Sequence, residues 1–172
     1  YIAGNNTDGG FAIEADQQSA LYVGIQCHSS NMTVKNAAQA TLSGGSDIYL
    51  CKFAATGNPG NGRSLEFATY WGGSKGDTPY KGSLAVTLSG DVILVGQTLS
   101  SDFPLLSPIQ TSLGGIADIC IVQFTSNGSV VSSTYLGGSN SDGGLAADID
   151  PSGNLIVVGL PDSADFPAAN AQ

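Results

Sequence analysis

Positive charge is almost missing from this chain: five Lys and Arg in 172 residues stand against fourteen Asp and Glu, a formal net charge of -9. With an isoelectric point near 4.1, no basic stripe is available to follow a phosphate backbone. Nucleic-acid binding is therefore excluded as a class, because repulsion would replace the gain from counterion release. Glu is scarce too, Glu14 and Glu66 being its two copies. The negative charge sits on Asp, a residue of turns and caps. A chain this short of Glu and Lys does not read as largely helical. No apolar run approaches the roughly 18 to 20 residues that span a bilayer, so no membrane insertion is expected. One histidine, His28, and three cysteines, Cys27, Cys51 and Cys120, supply no C-x-x-C, H-x-x-x-H or C-x-x-C-H spacing. Zinc and haem sites fail on both count and spacing. The first residues hold neither Met nor a basic-then-apolar leader, as expected of a mature chain after signal removal or of an excised segment.

What is abundant is Gly, at 24 copies, with Ser, Thr, Asn and Asp set between clusters of Val, Ile, Leu and Tyr. This composition predicts an all-β fold of many short strands joined by turns. A fixed period then organises the chain. Tyr1, Tyr70 and Tyr135 open the segments YIAGNNTDGG, YWGGSKGDTP and YLGGSNSDGG, 69 and 65 residues apart. Each Tyr is followed by Gly at +3 (Gly4, Gly73, Gly138) and Asp at +7 (Asp8, Asp77, Asp142). Apolar strands follow, ending at Gly24, Gly96 and Gly159. Polar loops come next; two contain Asp102-Phe103-Pro104 and Asp165-Phe166-Pro167, the first has NMTV instead, and all close at Gln39, Gln110 or Gln172. Copies one and two continue into DIYLCKF and DICIVQF, and a fourth strand returns to the next Tyr. Copy one carries an inserted NPGNGR in that last hairpin, where lengthening a strand framework costs least.

Each full unit thus holds four strands, for the second copy Ser83 to Leu88, Val92 to Gln97, Asp118 to Phe124 and Val130 to Leu136. Tyr49, Cys51 and Phe53 share one face of the third strand, as do Cys120, Val122 and Phe124, with Lys52 and Gln123 on the other. Four antiparallel strands per repeat define a β-propeller blade. The expected organisation is repeat 1 over 1–69, divergent, repeat 2 over 70–134 and a truncated half blade over 135–172, about two and a half blades in all. Propellers close with four to eight blades, so the open edge of the last blade calls for the remainder of a longer propeller or for other chains, in a ring or an extracellular filament.

The stretch STYLGGSNSDGGLAADIDPSGNLIVVGLPDSADFP, residues 133 to 167, resembles the SBBP repeat, a bacterial and archaeal β-propeller repeat that runs from TYLGGS through D-x-SGN to SxDFP. The resemblance covers copy three almost completely and copy two well, with LSGD at 88–91 in place of the SGN turn. Copy one keeps the frame without DFP. What the resemblance implies is an extracellular propeller domain of a secreted or cell-surface protein, with no catalytic residue to carry over.

Gly72-Gly73-Ser74-Lys75-Gly76 fits G-x-S-x-G in letters but aligns with the repeat turns and runs on into Pro79, so it reads as a turn. Cys27 and His28 are neighbours in an extended segment and point to opposite faces. Asp8, Asp77 and Asp142 are expected to fix turns by accepting backbone N–H bonds, with calcium in Gly- and Asn-rich loops as the alternative. Asn5, Asn31 and Asn127 head glycosylation sequons in loops. Tyr70, Trp71 and Tyr80 offer a sugar platform in principle, though the periodicity of Tyr70 argues for packing. The function expected is therefore a non-catalytic structural or interaction module. The alternatives are a carbohydrate-binding or adhesion propeller and, less favoured, a hydrolase or lyase with paired carboxylates in the central channel.

Overall fold

The computed structural model describes residues 2–58 and 62–168, which form ten strands and no helix. The strands are β1 Asp8–Ala15, β2 Leu21–Cys27, β3 Asp47–Asn58, β4 Gly62–Trp71, β5 Asp77–Val86, β6 Val92–Thr98, β7 Asp118–Phe124, β8 Val130–Leu136, β9 Asp142–Ile149 and β10 Leu155–Pro161. They build three antiparallel sheets, β1-β2-β3-β4, β5-β6-β7-β8 and β9-β10. Tyr1, Gln172 and the middle of the inserted hairpin lie outside the described residues.

For copy two, β7 and β8 fall on the expected residues and β6 runs one residue further. The first strand differs: β5 starts at Asp77 rather than Ser83. Pro79 and Gly82 read as a turn in sequence, yet Pro79 pairs with Gly96 and Leu84 with Leu94, so a wide bulge absorbs the residues between. Gly82 sits at φ +82, a conformation that a side chain disfavours. The Tyr80 hydroxyl ties the bulge to Gln97 Oε1 at 3.1 Å.

Pairing also shifts one sequence equivalence by a residue. Gly96 lies opposite Cys120 in the second sheet, but it is Ile25, not Gly24, that lies opposite Tyr49 in the first. Gly24 therefore corresponds to Val95. A strand's faces alternate, so this slip exchanges which side chains meet the neighbouring sheet.

The sheets pack face to face in chain order. Ile48, Leu50 and Phe67 of the first sheet share a core with Leu94, Val122 and Phe124 of the second, and the Trp71 ring meets Phe124 edge-on at 5.7 Å. Tyr49, Cys51 and Tyr70 form a separate cluster on the far side of the first sheet. The Tyr49–Cys51–Phe53 face thus points away from the second sheet, while the corresponding face of the second points at the first. Burying Phe124 or Trp71 at this joint contributes about 2–3 kcal/mol each. Backbone also crosses between sheets: Asp77 N–H donates to Ser46 O, and Asp142 N–H to Ala117 O, both at 2.8 Å. The first strands β1, β5 and β9 lie against one another in sequence.

A buried Lys is stitched into the first joint. Lys52 donates to Ser126 O of the second sheet at 3.1 Å, pairs with Glu66 at 3.1 Å and lies 5.2 Å from the Tyr22 ring centre. Burial lowers the Lys52 pKa, but Tyr22 and Glu66 outweigh it and the net direction is upward. Tyr22 in turn donates to Gly90 O at 2.7 Å.

Candidate functional site

The polar residues singled out by the repeat gather at one end of each sheet, where first and third strands begin. Asp142 Oδ1 accepts the Asp162 and Ser163 amides at 2.9 and 3.2 Å, while Oδ2 accepts the Gly138 amide at 2.8 Å and the Ser163 hydroxyl at 2.7 Å. Asp8 repeats this set with Gly4, His28 and Ser29. Asp77 takes the Gly73 amide at 2.7 Å and the Ser100 hydroxyl at 3.0 Å. The three aspartates therefore occupy equivalent turns and accept backbone amides there. For Asp8 and Asp142 burial acts upward on the carboxyl, but these hydrogen bonds outweigh it and hold both below the usual carboxylate range. For Asp77 burial prevails and the pKa rises. A calcium ion at Asp8 or Asp142 would have to displace N–H and O–H donors already in place.

The S-x-D of the loop motif has a matching task. Asp102 Oδ1 accepts both the amide and the hydroxyl of Ser74, at 2.9 and 3.0 Å, and Asp165 does the same for Ser139. In the divergent copy Asn31 stands in this place, its Oδ1 accepting the Asn5 amide at 2.8 Å. Ser74, the hydroxyl of the G-x-S-x-G match, is thus committed to Asp102, and the strand β5 follows it rather than a helix. The DFP segment is held by the next Tyr. Tyr135 donates to Ser100 O at 2.7 Å and accepts from the Phe103 amide at 3.0 Å. Tyr70 makes the same pair with Ser29 O and the Met32 amide, so Met32 replaces Phe103 in the copy that lacks DFP.

Two further aspartates, Asp47 and Asp118, carry weight that the sequence reading gave only to strand starts. Gln39 donates to Asp47 Oδ2 and accepts from the Gly72 amide; Gln110 does the same with Asp118 and Gly137. The signal was present in both copies as a Gln eight residues before an Asp. A Cβ at Gly72 would stand 2.7 Å from both Asp47 Oδ1 and Asp77 Oδ2, which puts two buried carboxylates on either side of that glycine. Burial, with Asp77 adding to it, pushes the Asp47 carboxyl up to about 6. Burial raises Asp118 as well. Asp77 Oδ1 and Asp118 Oδ1 are buried without a hydrogen-bond partner.

The other candidate residues fall as follows. All three cysteines are buried and free. The Cys27 thiol donates to Ser29 O, and burial pushes its pKa up to about 12; His28 Nδ1 meets Thr7 O instead, so the two do not share a proton. Asn5, Asn31 and Asn127 are exposed. Tyr70 and Trp71 are buried, the Trp71 indole N–H donating to Ser133 Oγ at 3.3 Å, while Tyr80 is half-buried on its bulge. They form no exposed platform. A cavity of about 270 Å³ between β1, β5 and β9 has Glu14 and Asp148 in its lining. Among the described residues no group of three or more His, Cys, Asp or Glu is gathered as metal ligands.

The fold and these turns define an all-β protein of repeated antiparallel sheets. In comparison with known proteins, no family model matches the chain and no curated protein matches it.

Proposed function

We propose that this chain is a non-catalytic scaffold and interaction module of a secreted or cell-surface protein, its sheets being β-propeller blades of the kind the SBBP-like pattern implies. The observation that carries the reading is how the polar residues are used. Asp8, Asp77 and Asp142 hold Ser29, Ser100 and Ser163 once per unit, and Asp102, Asp165 and the two Gln–Asp pairs likewise fasten loops to strand ends. First strands lying against one another, with the same backbone link from each third strand to the next first strand, support blades set around an axis. The exposed sequon asparagines fit an extracellular setting. The partners of such a module are further units of the same kind, in a longer protein or another chain, with a glycan ligand as the second class.

A glycan array run beside a panel of glycoside and polyuronide substrates tests this. The expected result is no turnover. Hydrolysis that Glu14→Gln or Asp148→Asn abolishes would overturn the reading in favour of a propeller hydrolase; glycan binding without turnover would make the interaction a carbohydrate one.

A further inference from the structure

The joint between the second and third sheets is built on a size match. A Cβ at Gly144 of β9 would collide with Val95 and stand 2.9 Å from Ile119, so Val95 is a knob and Gly144 its hole. Both partners recur on surfaces that none of the described residues covers. Val158 precedes Gly159 in β10 as Val95 precedes Gly96 in β6, yet Val158 is 56% exposed where Val95 is fully buried. Ile156 and Leu160, on the same face of β10, are 51% and 66% exposed. At the other end, Gly10 follows Asp8 by two residues as Gly144 follows Asp142, within an identical Asp-Gly-Gly. Gly10 pairs with Ile25 where Gly144 pairs with Gly159. Among the described residues nothing lies within 4 Å of where a Gly10 Cβ would be. The middle copy shows that the glycine is not demanded by the strand itself, since Pro79 occupies the position there, opposite Gly96.

We propose that copies of this chain associate head to tail, with the Ile156–Val158–Leu160 face of one copy seated on β1 of the next and Val158 over Gly10. The inference rests on the scaffold reading and deepens it by naming the partner as a second copy. Apolar side chains more than half exposed on one strand gain by leaving water, and the glycine lets the two backbones approach as they do at Gly144. Ile13, 65% exposed on β1, adds apolar surface beside the hole. Because donor and acceptor faces differ, the contact is heterologous: it closes a ring or extends a filament according to the rotation per copy.

Two substitutions test it without disturbing the fold, as Gly10→Val enters open space at an ordinary φ and Val158→Asp sits at an exposed position. Sedimentation velocity at rising concentration should show association of the unaltered chain, weakened at least about tenfold by either change, as for the centre of an interface. Circular dichroism should be unchanged in both. A mixture is the decisive sample: Gly10→Val keeps the knob and Val158→Asp keeps the hole, so together they should form a one-to-one dimer that grows no further. A chain that stays monomeric at millimolar concentration, or that associates equally well with Gly10→Val, overturns the proposal. Neither result bears on turnover, so the scaffold reading would fall separately, by the substrate panel.

Discussion

A carboxylate that accepts three amides and a hydroxyl, as Asp142 does, is missed by those donors when it is removed. Asp142→Ala should cost about 1–3 kcal/mol, measured by urea denaturation, because buried N–H groups lose their acceptor. The neighbouring exposed Asp162→Ala should change stability by less than about 0.5 kcal/mol. Asp47 responds to pH in the opposite sense from Asp142. Its folded pKa, about 6, lies above the ordinary 3.8, so the folded state holds the proton more tightly. Its contribution to stability is full below pH 3.8 and is lost as pH rises through about 6. Asp47→Asn should therefore flatten the fall in midpoint between pH 4 and 6.5. Asp8 and Asp142, both lowered, lose their contribution only as pH falls below 3.8. The aspartates at +7 were legible because they recur at a fixed offset from Tyr and Gly. The facing of Asp47 and Asp77 across Gly72 was not, since it joins residues from two sheets and no local spacing encodes it.

At the level of elements, Lys52 binds the first sheet to the second. Lys52→Ala should destabilise by about 1–3 kcal/mol, mainly through the lost charge-assisted bond to Ser126 O, because the paired Glu66 is exposed and adds little. Hydrogen exchange should rise first in β3 and β4, whose joint then lacks the bond to Ser126 O. Alternation correctly put Lys52 on the face opposite Tyr49 and Cys51. It could not show that this face is covered, because the covering turn, Ser126 to Gly128, comes from the next unit. β6 and β7 were legible from apolar runs bounded by Asp and Gly turns, and β8, VVSSTYL, from the Gly128 turn before it and the repeated Tyr135 near its end. β5 was not. Its bulge breaks the period of two, and Pro79 and Gly82 carry turn signals inside a strand. The offset of Gly24 from Gly96 has a similar origin, as matching letters in VG and YVG outweighed a register that backbone pairing alone sets.

At the scale of the whole molecule, a net charge of -9 opposes any contact between copies. Association should therefore strengthen between about 50 and 500 mM salt, where the Debye length falls from above 10 Å to below 5 Å. Light scattering across that range checks it; a contact weakened by salt would instead depend on ion pairs that the apolar face of β10 does not offer. The period announced repeated sheets, but which residue of one sheet fills which gap in the next is a property of facing surfaces. The tyrosine clamps carry a different lesson, about order in time. The loop after β2 is fastened by Tyr70, and the loop after β6 by Tyr135, each at the end of its unit's last strand. On a chain made from its N-terminus, Met32 and Phe103 stay loose until some thirty to forty further residues have emerged. Each unit thus sets its loop last, and a nascent chain paused between Met32 and Tyr70 would offer that loop to proteases and chaperones in a way the finished protein never does.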